Sequence, residues 1–450
     1  MIALWKLPVF TPRSQVIGLL LLALGIRLAF VLTLENRLAW PDEVDFNDIA
    51  VGLLHGAGYQ SDPFRANPVL PFFLAGVYKL FGYSYIAPRV VQSFIGSLTA
   101  CIVFALANSL FSRRVALLAG LGVALDPSLV YITGVFYVSC LETFLLALSL
   151  YLLAISRHND SCKVLLLSGV VMGITALCRP ASLMLLPFAA CFVLLSFPGR
   201  TLRRTAYALS LVCVVCITIV PWTLRNYAIY RQVIPVSTGS GGFLWRGNNE
   251  LSQGDADDRY LMPGEGEVWT SRLQELALHY RRTVEQKYAK VQNDLKALDA
   301  VGHDRYLQKL ALAYMAEHPL RSIELFVYKV STLYTAFTPV RTEHREFISP
   351  KHRFLFSLLF YPTLLLGAFG ALYGLRAWRK HLLMYLPIAA LTLGYGVLTA
   401  AARFRVPIEP YIIIFACYGC TIIWEFITRP QSYHVSITLN HSTCRRGRKV

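Results

Sequence analysis

Ten long apolar runs, at 15–34, 87–111, 115–132, 135–156, 164–178, 181–198, 205–223, 354–375, 382–400 and 407–427, constrain this chain more than any other feature. About 20 apolar residues in a helix suffice to cross the hydrocarbon layer. In lipid the backbone must satisfy its own polar groups, which restricts a spanning segment to helix or closed barrel. Runs of this length predict an all-α polytopic membrane protein with about ten transmembrane helices; the run at 164–178 is the shortest. Composition agrees: 15% of the residues are charged, against about a quarter in soluble domains. Lys6 and Arg13 precede the first run as in a signal peptide. The run is too long for a signal core and no small-residue cleavage site follows, so it reads as an uncleaved first span.

Basic residues in short loops set orientation. With the N-terminus inside, the cytoplasmic segments hold seventeen Lys and Arg, among them Arg113, Arg114, Arg157, Arg203, Arg204, Arg376 and Arg379, whereas the short outer loops hold seven. Both termini are therefore expected in the cytoplasm of a multi-pass protein of the cell's inner (plasma) membrane. The formal net charge is +17, but the cations punctuate spans and form no continuous patch, which excludes nucleic acid as a partner. The ten cysteines suggest no disulfide framework. Cys213/Cys216 and Cys417/Cys420 read as small residues on one packed helix face.

Three parts follow from the pattern: residues 1–223 with seven spans and a first outer loop at 36–86, a polar extracytoplasmic segment at 224–352, and 353–450 with three spans and a basic tail. No internal repeat is visible. The segment opens with "STGSGGFLWRGNNE" and "SQGDAD", rich in turn formers. It reads as helical from about 267 to 318, where Glu317-His318-Pro319 stops or kinks the helix. The first outer loop predicts two short helices. "DFNDIAVGLLHG" carries Asp45 and Asp48 as N-terminal caps, and "NPVLPFFLAGVYKLFG" is too short to span and lies along the membrane surface.

Within "AWPDEVDFNDIA" four carboxylates, Asp42, Glu43, Asp45 and Asp48, stand where the first span leaves the bilayer. An isolated cluster of this kind is as easily a solvated helix cap, and a lone arginine at a span end is most often a headgroup anchor. Convergence argues otherwise. Asp42, Glu43, Arg65, Arg89, Arg179, Arg225, Arg403 and Arg405 all fall at outer span ends, and Asp126 and Glu142 on the same side. Ionisable groups near hydrocarbon are costly and tend to mark function. Arg27, inside the first span, faces the bundle or snorkels. Arginine's planar fork suits phosphate oxygens, and a carboxylate beside it stays ionised and can take a hydroxyl proton. A polyprenyl-phosphate sugar would use both groups, with its tail between spans and membrane lipids around it.

Four patches carry a family resemblance: "WPDEVDFNDIAVGLLHGAGY", "NPVLPFFLAGVYKLFG", "IVPWTLRNYAIYRQVIPVSTGSGGFLWRGNN" and "AARFRVPIEPYIIIFA". With weaker likeness at "APRVVQSFIGSLTA", "LETFLLALSL" and "LCRPASLMLLP", they cover most of the chain in order. The sequence resembles the GT-C superfold of membrane glycosyltransferases, nearest to the bacterial branch akin to protein O-mannosyltransferases, the lipid A aminoarabinose transferase and RgtA/B/C/D-like galacturonosyltransferases. That resemblance implies an inverting transferase that takes a polyprenyl-phosphate sugar as donor and an envelope glycan, lipid or protein as acceptor. It maps the catalytic base onto Asp42 and the second acid onto Glu43. Position makes Arg225, Arg403 and Arg405 the donor-phosphate contacts, with Arg65 and Arg179 behind them. The aminoarabinose transferase has Glu-Lys-Pro-Pro before its second juxtamembrane helix where this chain has Ala66-Asn67-Pro68-Val69. No cofactor is required; a divalent metal held by Asp42 with the supporting acids Asp126 or Glu142 stays open. The alternative is a transporter or flippase of lipid-linked sugars, against which stand the absence of a repeat and the one-sided charges.

Overall fold

The computed structural model describes residues 12–38, 40–65, 67–252, 278–336 and 350–428. Among them the regular elements are helices, and each of the ten apolar runs falls on one or two of them. Helix α1 (Pro12–Val31) packs on α4 (Ile86–Leu110) and α5 (Arg113–Leu125), and α4 packs in turn on α7 (Ser139–Asn159). From there α8 (Cys162–Cys178), α10 (Thr201–Tyr230) and α9 (Leu185–Ser196) follow as neighbours. Three C-terminal helices, α15 (Pro350–Gly374), α16 (Trp378–Val397) and α17 (Glu409–Thr428), close the bundle through α16 against α9 and α17 against α5.

Six stretches among the described residues are long and apolar enough to cross a bilayer, and a seventh is a pair bent by 52° at Asp126–Pro127. The bend follows from Pro127, which opens α6 (Pro127–Tyr131), while Asp126 accepts from Leu129 N at 3.0 Å. Residues 356–397 count as one stretch, yet Tyr385 Oη donates to Ala371 O at 2.6 Å. Fourteen residues of continuous helix would separate those groups by about 21 Å, so the chain doubles back between α15 and α16 and the stretch is two passes. The runs at 164–178 and 181–198 form shorter apolar helices, Cys162–Cys178 and Pro180–Ser196. Length and composition therefore do not establish ten full spans.

Packing between spans depends on small residues. A Cβ at Gly370 would lie 1.9 Å from Phe415 O and one at Gly419 2.6 Å from Leu366 O. Helices α15 and α17 thus touch backbone to backbone, the arrangement that replaces hydrophobic driving force inside lipid. Arg27 faces the bundle, donating to the carbonyls of Ala23, Val123 and Ala124 at 3.1–3.2 Å. A cation at the C-terminus of α5 complements the helix dipole, and Gly96 makes room for it: a Cβ there would meet Arg27 Nε at 2.8 Å. The packing expected of the Cys-x-x-Cys pairs is corrected: Cys213, Cys216 and Cys420 are exposed. A spacing of three does put two residues on one helix face, but for Cys213 and Cys216 that face points away from the bundle, while Cys417 packs against the core and Cys420 does not.

One end of the bundle carries the remaining helices. In the first loop α2 (Pro41–Leu54) packs on α3 (Val69–Phe81). Helix α2 begins four residues before the expected Asp45: Pro41 sits in the first turn, and Glu43 closes a capping box on Trp40. Asp45 and Asp48 are therefore not its caps. Leu70, Leu74 and Tyr78 of α3 join Phe46 and Ala50 of α2 and Phe136 beyond in one core, while Phe72, Leu80 and Phe81 stay exposed.

A second core surrounds Trp245, Tyr288 and Leu295, built by α11 (Ser240–Gly247), α12 (Leu278–Lys296) and α13 (Ala300–Glu317). The turn-rich reading of 237–250 is thus corrected in part to a short helix. Its glycines serve close approach: a Cβ at Gly241 would sit 1.8 Å from Asp304 O. Pro319 starts α14 (Pro319–Leu333), so the expected stop at His318-Pro319 is a boundary between two helices. The expected helical stretch 267–277 and the "SQGDAD" turn from 253 on lie outside the described residues.

Candidate active site

Asp42 stands in the first turn of α2 and Arg65 in the short 3-10 turn Pro63–Arg65, which the chain folds back over it. Arg65 Nη2 lies 2.6 Å from Asp42 Oδ1 and 2.9 Å from Asp45 Oδ2. Burial alone would lower the guanidinium's pKa, but the two carboxylates raise it. Two acids share one cation, so the trio carries a formal charge of −1. A guanidinium at this distance favours the ionised carboxylate.

Glu43 is turned the other way and is fully buried. Its two oxygens accept from Trp40 N at 3.0 Å and from Phe136 N at 2.8 Å. Its carboxylate ties α2 to the chain before α7.

Around Asp42 and Arg65 runs a ring of aromatic and cationic side chains. Arg65 lies over Phe46 and Phe64, 5.3 and 5.1 Å from their centroids. Phe64 neighbours Phe243 of α11 at 6.0 Å, and Phe243 meets Phe404 edge-on at 6.5 Å. Phe404 lies under Arg403 and Arg179, at 5.4 and 5.8 Å. Tyr137 completes the circuit, 5.8 Å from Arg403 and 5.4 Å from Arg179, and close enough to Arg65 to interact with its charge. The Phe64–Phe243 side depends on Gly239, whose φ is +110° and where a Cβ would sit 2.6 Å from the Phe64 ring. Only glycine is at ease in both respects.

The cations of this ring differ in what they already hold. Arg179 Nη1 is 2.8 Å from Glu142 Oε2, and Ser182 donates to the other Glu142 oxygen at 2.9 Å. That pair is buried and neutral overall. Arg403 has no hydrogen-bond or ion-pair partner among the described residues, and its Nε is shielded from solvent without one. It rests on the faces of Tyr137 and Phe404 alone. An arginine held by rings, with its fork unused, is suited to an anion.

The other residues singled out in the sequence lie elsewhere. Arg405 is fully enclosed: it donates to Leu333 O at 2.7 Å, to Thr335 O at 2.5 Å and to Glu409 at 3.0 Å, and lies 3.7 Å over Phe360. Glu409 in turn shares a hydrogen bond with Asp126. Arg225 sits among the rings of Tyr59, Trp222 and Tyr230 and donates to Tyr59 O. Arg89 donates to Glu35 O and Arg37 O, both at 2.7 Å, fixing the start of the first loop. Asp42, Asp126 and Glu142 thus stand in three separate clusters, each already engaged. Among the described residues no three His, Cys, Asp or Glu form a group that could hold a metal.

Tyr137, Phe64 and Phe243 escaped the sequence reading. Each is one aromatic among many in a chain that is 13% aromatic, with no charge to single it out.

The fold has counterparts among solved structures. The oligosaccharyltransferase AglB of Archaeoglobus fulgidus, in complex with an inhibitory peptide and a dolichol-phosphate, aligns over 92% of this chain and 50% of its own, with TM-score 0.53 and 15% identity. The apo form of the Archaeoglobus fulgidus oligosaccharyltransferase aligns with TM-score 0.54 over 92% and 51%, again at 15% identity. The chain has the GT-C fold. It spans about half the length of these GT-C relatives. ArnT of Cupriavidus metallidurans bound to undecaprenyl phosphate aligns at TM-score 0.43 and 14% identity, over 91% of this chain and 78% of that one. In sequence, residues 62–224 match the family described as dolichyl-phosphate-mannose-protein mannosyltransferase. No curated protein matches the chain in sequence. The expectation of an all-helical GT-C membrane protein is met.

Proposed function

We propose that this protein is a membrane glycosyltransferase that moves one sugar from a polyprenyl-phosphate carrier to an acceptor at the extracytoplasmic face, with inversion. One observation carries the reading: a carboxylate paired to arginine, Asp42–Arg65, shares a ring of side chains with Arg403, a guanidinium without a partner among the described residues.

Arg403 would bind the phosphodiester oxygen of the donor, with Arg179 adding positive potential although Glu142 neutralises most of it. Phe64 and Phe243 would give the sugar an apolar wall. An acceptor hydroxyl attacks the anomeric carbon from the face opposite the phosphate, and the carbon–oxygen bond to phosphate breaks. The electron pair leaves with the polyprenyl phosphate, whose charge Arg403 holds, and the hydroxyl proton passes to Asp42. Asp45 shares the Arg65 guanidinium with Asp42. The fold, the match over 62–224 and the residues of the ring support this reading together.

The test is transfer of label from a panel of radiolabelled polyprenyl-phosphate sugars to an envelope extract, in membranes holding wild type or Asp42→Asn. Transfer by wild type that Asp42→Asn abolishes is the expected result. Label that crosses the bilayer while staying on its lipid in both samples would overturn it.

A further inference from the structure

Arg225 and Tyr59 belong to one construction that joins the last turns of α10 to the loop carrying Arg65. The Arg225 guanidinium lies 4.8–5.7 Å from the ring centres of Trp222, Tyr59 and Tyr230 and donates to the Tyr59 carbonyl. Tyr59 packs edge-on against Trp222 at 4.9 Å and lies tilted by 31° against Phe72 of α3 at 5.8 Å. Its hydroxyl reaches Arg65 O at 2.8 Å and Asn67 O at 3.0 Å. Two further bonds brace the same loop: Tyr230 Oη donates to Ser61 O at 2.8 Å, and Thr238 N donates to Pro63 O at 2.9 Å. Arg65, so held by its backbone, reaches Asp42 by its side chain.

We infer that Arg225 and Tyr59 are positioning residues: a strut from the end of α10 that sets the Arg65–Asp42 pair, with Arg225 acting through Tyr59 and not as a ligand of the phosphate. This rests on the reading of Asp42 as the base. The physical case is satisfaction. Arg225 already has a carbonyl, the Asn226 side chain at 3.0 Å and three aromatic faces, which is most of what a half-buried guanidinium can use. The loop 59–65 has few contacts of its own that would fix Arg65. Besides the Tyr59 hydroxyl on Arg65 O, the side chain within it that ties the Arg65 backbone is Asp62, whose Oδ1 accepts from Arg65 N at 2.8 Å.

The experiment compares wild type, Tyr59→Phe, Arg225→Ala, Arg65→Ala and the double variant Arg225→Ala/Arg65→Ala in membranes, by donor-transfer kinetics and by backbone hydrogen exchange. Removing one net hydrogen bond is worth roughly a factor of ten. Tyr59→Phe, which deletes only a hydroxyl, should lower kcat by about that factor with donor KM nearly unchanged, and speed exchange at 60–67. Arg225→Ala should behave alike and add no loss on the Arg65→Ala background. A rise in donor KM at constant kcat, additive with Arg65→Ala, would overturn the inference and make Arg225 a phosphate ligand. So would exchange at 60–67 that neither variant alters. Should wild type transfer no sugar, the glycosyltransferase reading fails, while the exchange measurement still decides whether the strut exists.

Discussion

Replacing Asp42 by asparagine keeps its shape and its place beside Arg65 but removes the proton acceptor. A positioned general base is worth about 10²–10⁴-fold, so transfer should fall by that much with donor binding intact, as single-turnover and binding assays would separate. Arg403 makes the opposite prediction. With no hydrogen-bond or ion-pair partner among the described residues and only the faces of Tyr137 and Phe404 to lose, about 0.5–1 kcal/mol each, Arg403→Ala should lower the thermal midpoint only slightly. Losing one charge-assisted contact, about 1.5–3 kcal/mol, should raise the donor KM by roughly ten- to a hundredfold, and Arg403→Lys should recover part of it. Glu43 separates from both. Its carboxylate serves Trp40 N and Phe136 N, so Glu43→Leu should cost about 1–3 kcal/mol of stability by orphaning buried amides, seen as a lower unfolding midpoint in detergent. At this scale the sequence made Asp42 and Arg65 legible as charges at a span exit. It could not separate Arg403 from Arg405, two residues away in one Arg-Phe-Arg triplet. Only packing shows that one is enclosed by carbonyls and the other lies unpartnered on two rings.

The elements raise a different question, how the helices beyond the spans are held to the bundle. Lys329 of α14 is fully buried and donates to Asn248 Oδ1 and to Val397 O at the end of α16, both at 2.9 Å. Burial lowers its pKa to about 7. The unfolded chain keeps that proton up to an ordinary lysine value of about 10. Between these limits the unfolded state binds more protons, so stability should rise with pH from about 7 to about 10 and be flat below. Thermal unfolding in detergent across that range checks the slope, which Lys329→Met should remove. Element existence was readable from periodicity and apolar length. Element starts were not always so: α2 begins at Pro41 because Glu43 can reach back to Trp40, a cap that competes with the Asp45 reading. The helix at 240–247 was hidden by its glycines, of which Gly241 allows the approach to Asp304 and Gly247 the approach to Leu398.

On the scale of the whole molecule the GT-C fold collects α2, α3 and α11–α14 at one end of the bundle, and the ring around Asp42 lies among them. The basic loops Arg113–Arg114, Arg157–Lys163 and Arg200–Arg204 fall at the opposite span ends. We predict that single cysteines at the exposed positions Gln60 and Val233 react with an impermeant thiol reagent added to intact cells, and that cysteines at Ser112 and Asn159 react only after permeabilisation. A reversed pattern would put the ring in the cytoplasm and remove the extracytoplasmic reading.

Sequence by itself determined the class. A run of about 20 apolar residues has few fates in water or lipid other than a membrane helix, so the all-helical character and the ten apolar helices follow from local composition. It also determined that cations and acids meet at one set of span ends, because topology alone brings them there. Tertiary structure decided which of them share a site. Arg65 pairs with Asp42, Arg179 with Glu142 and Arg405 with Glu409, leaving Arg403 in the ring, and Arg225 is engaged by the loop before Arg65. Ion pairing is a matter of a few ångströms between residues as much as 37 positions apart. Hydropathy and spacing carry no record of such distances.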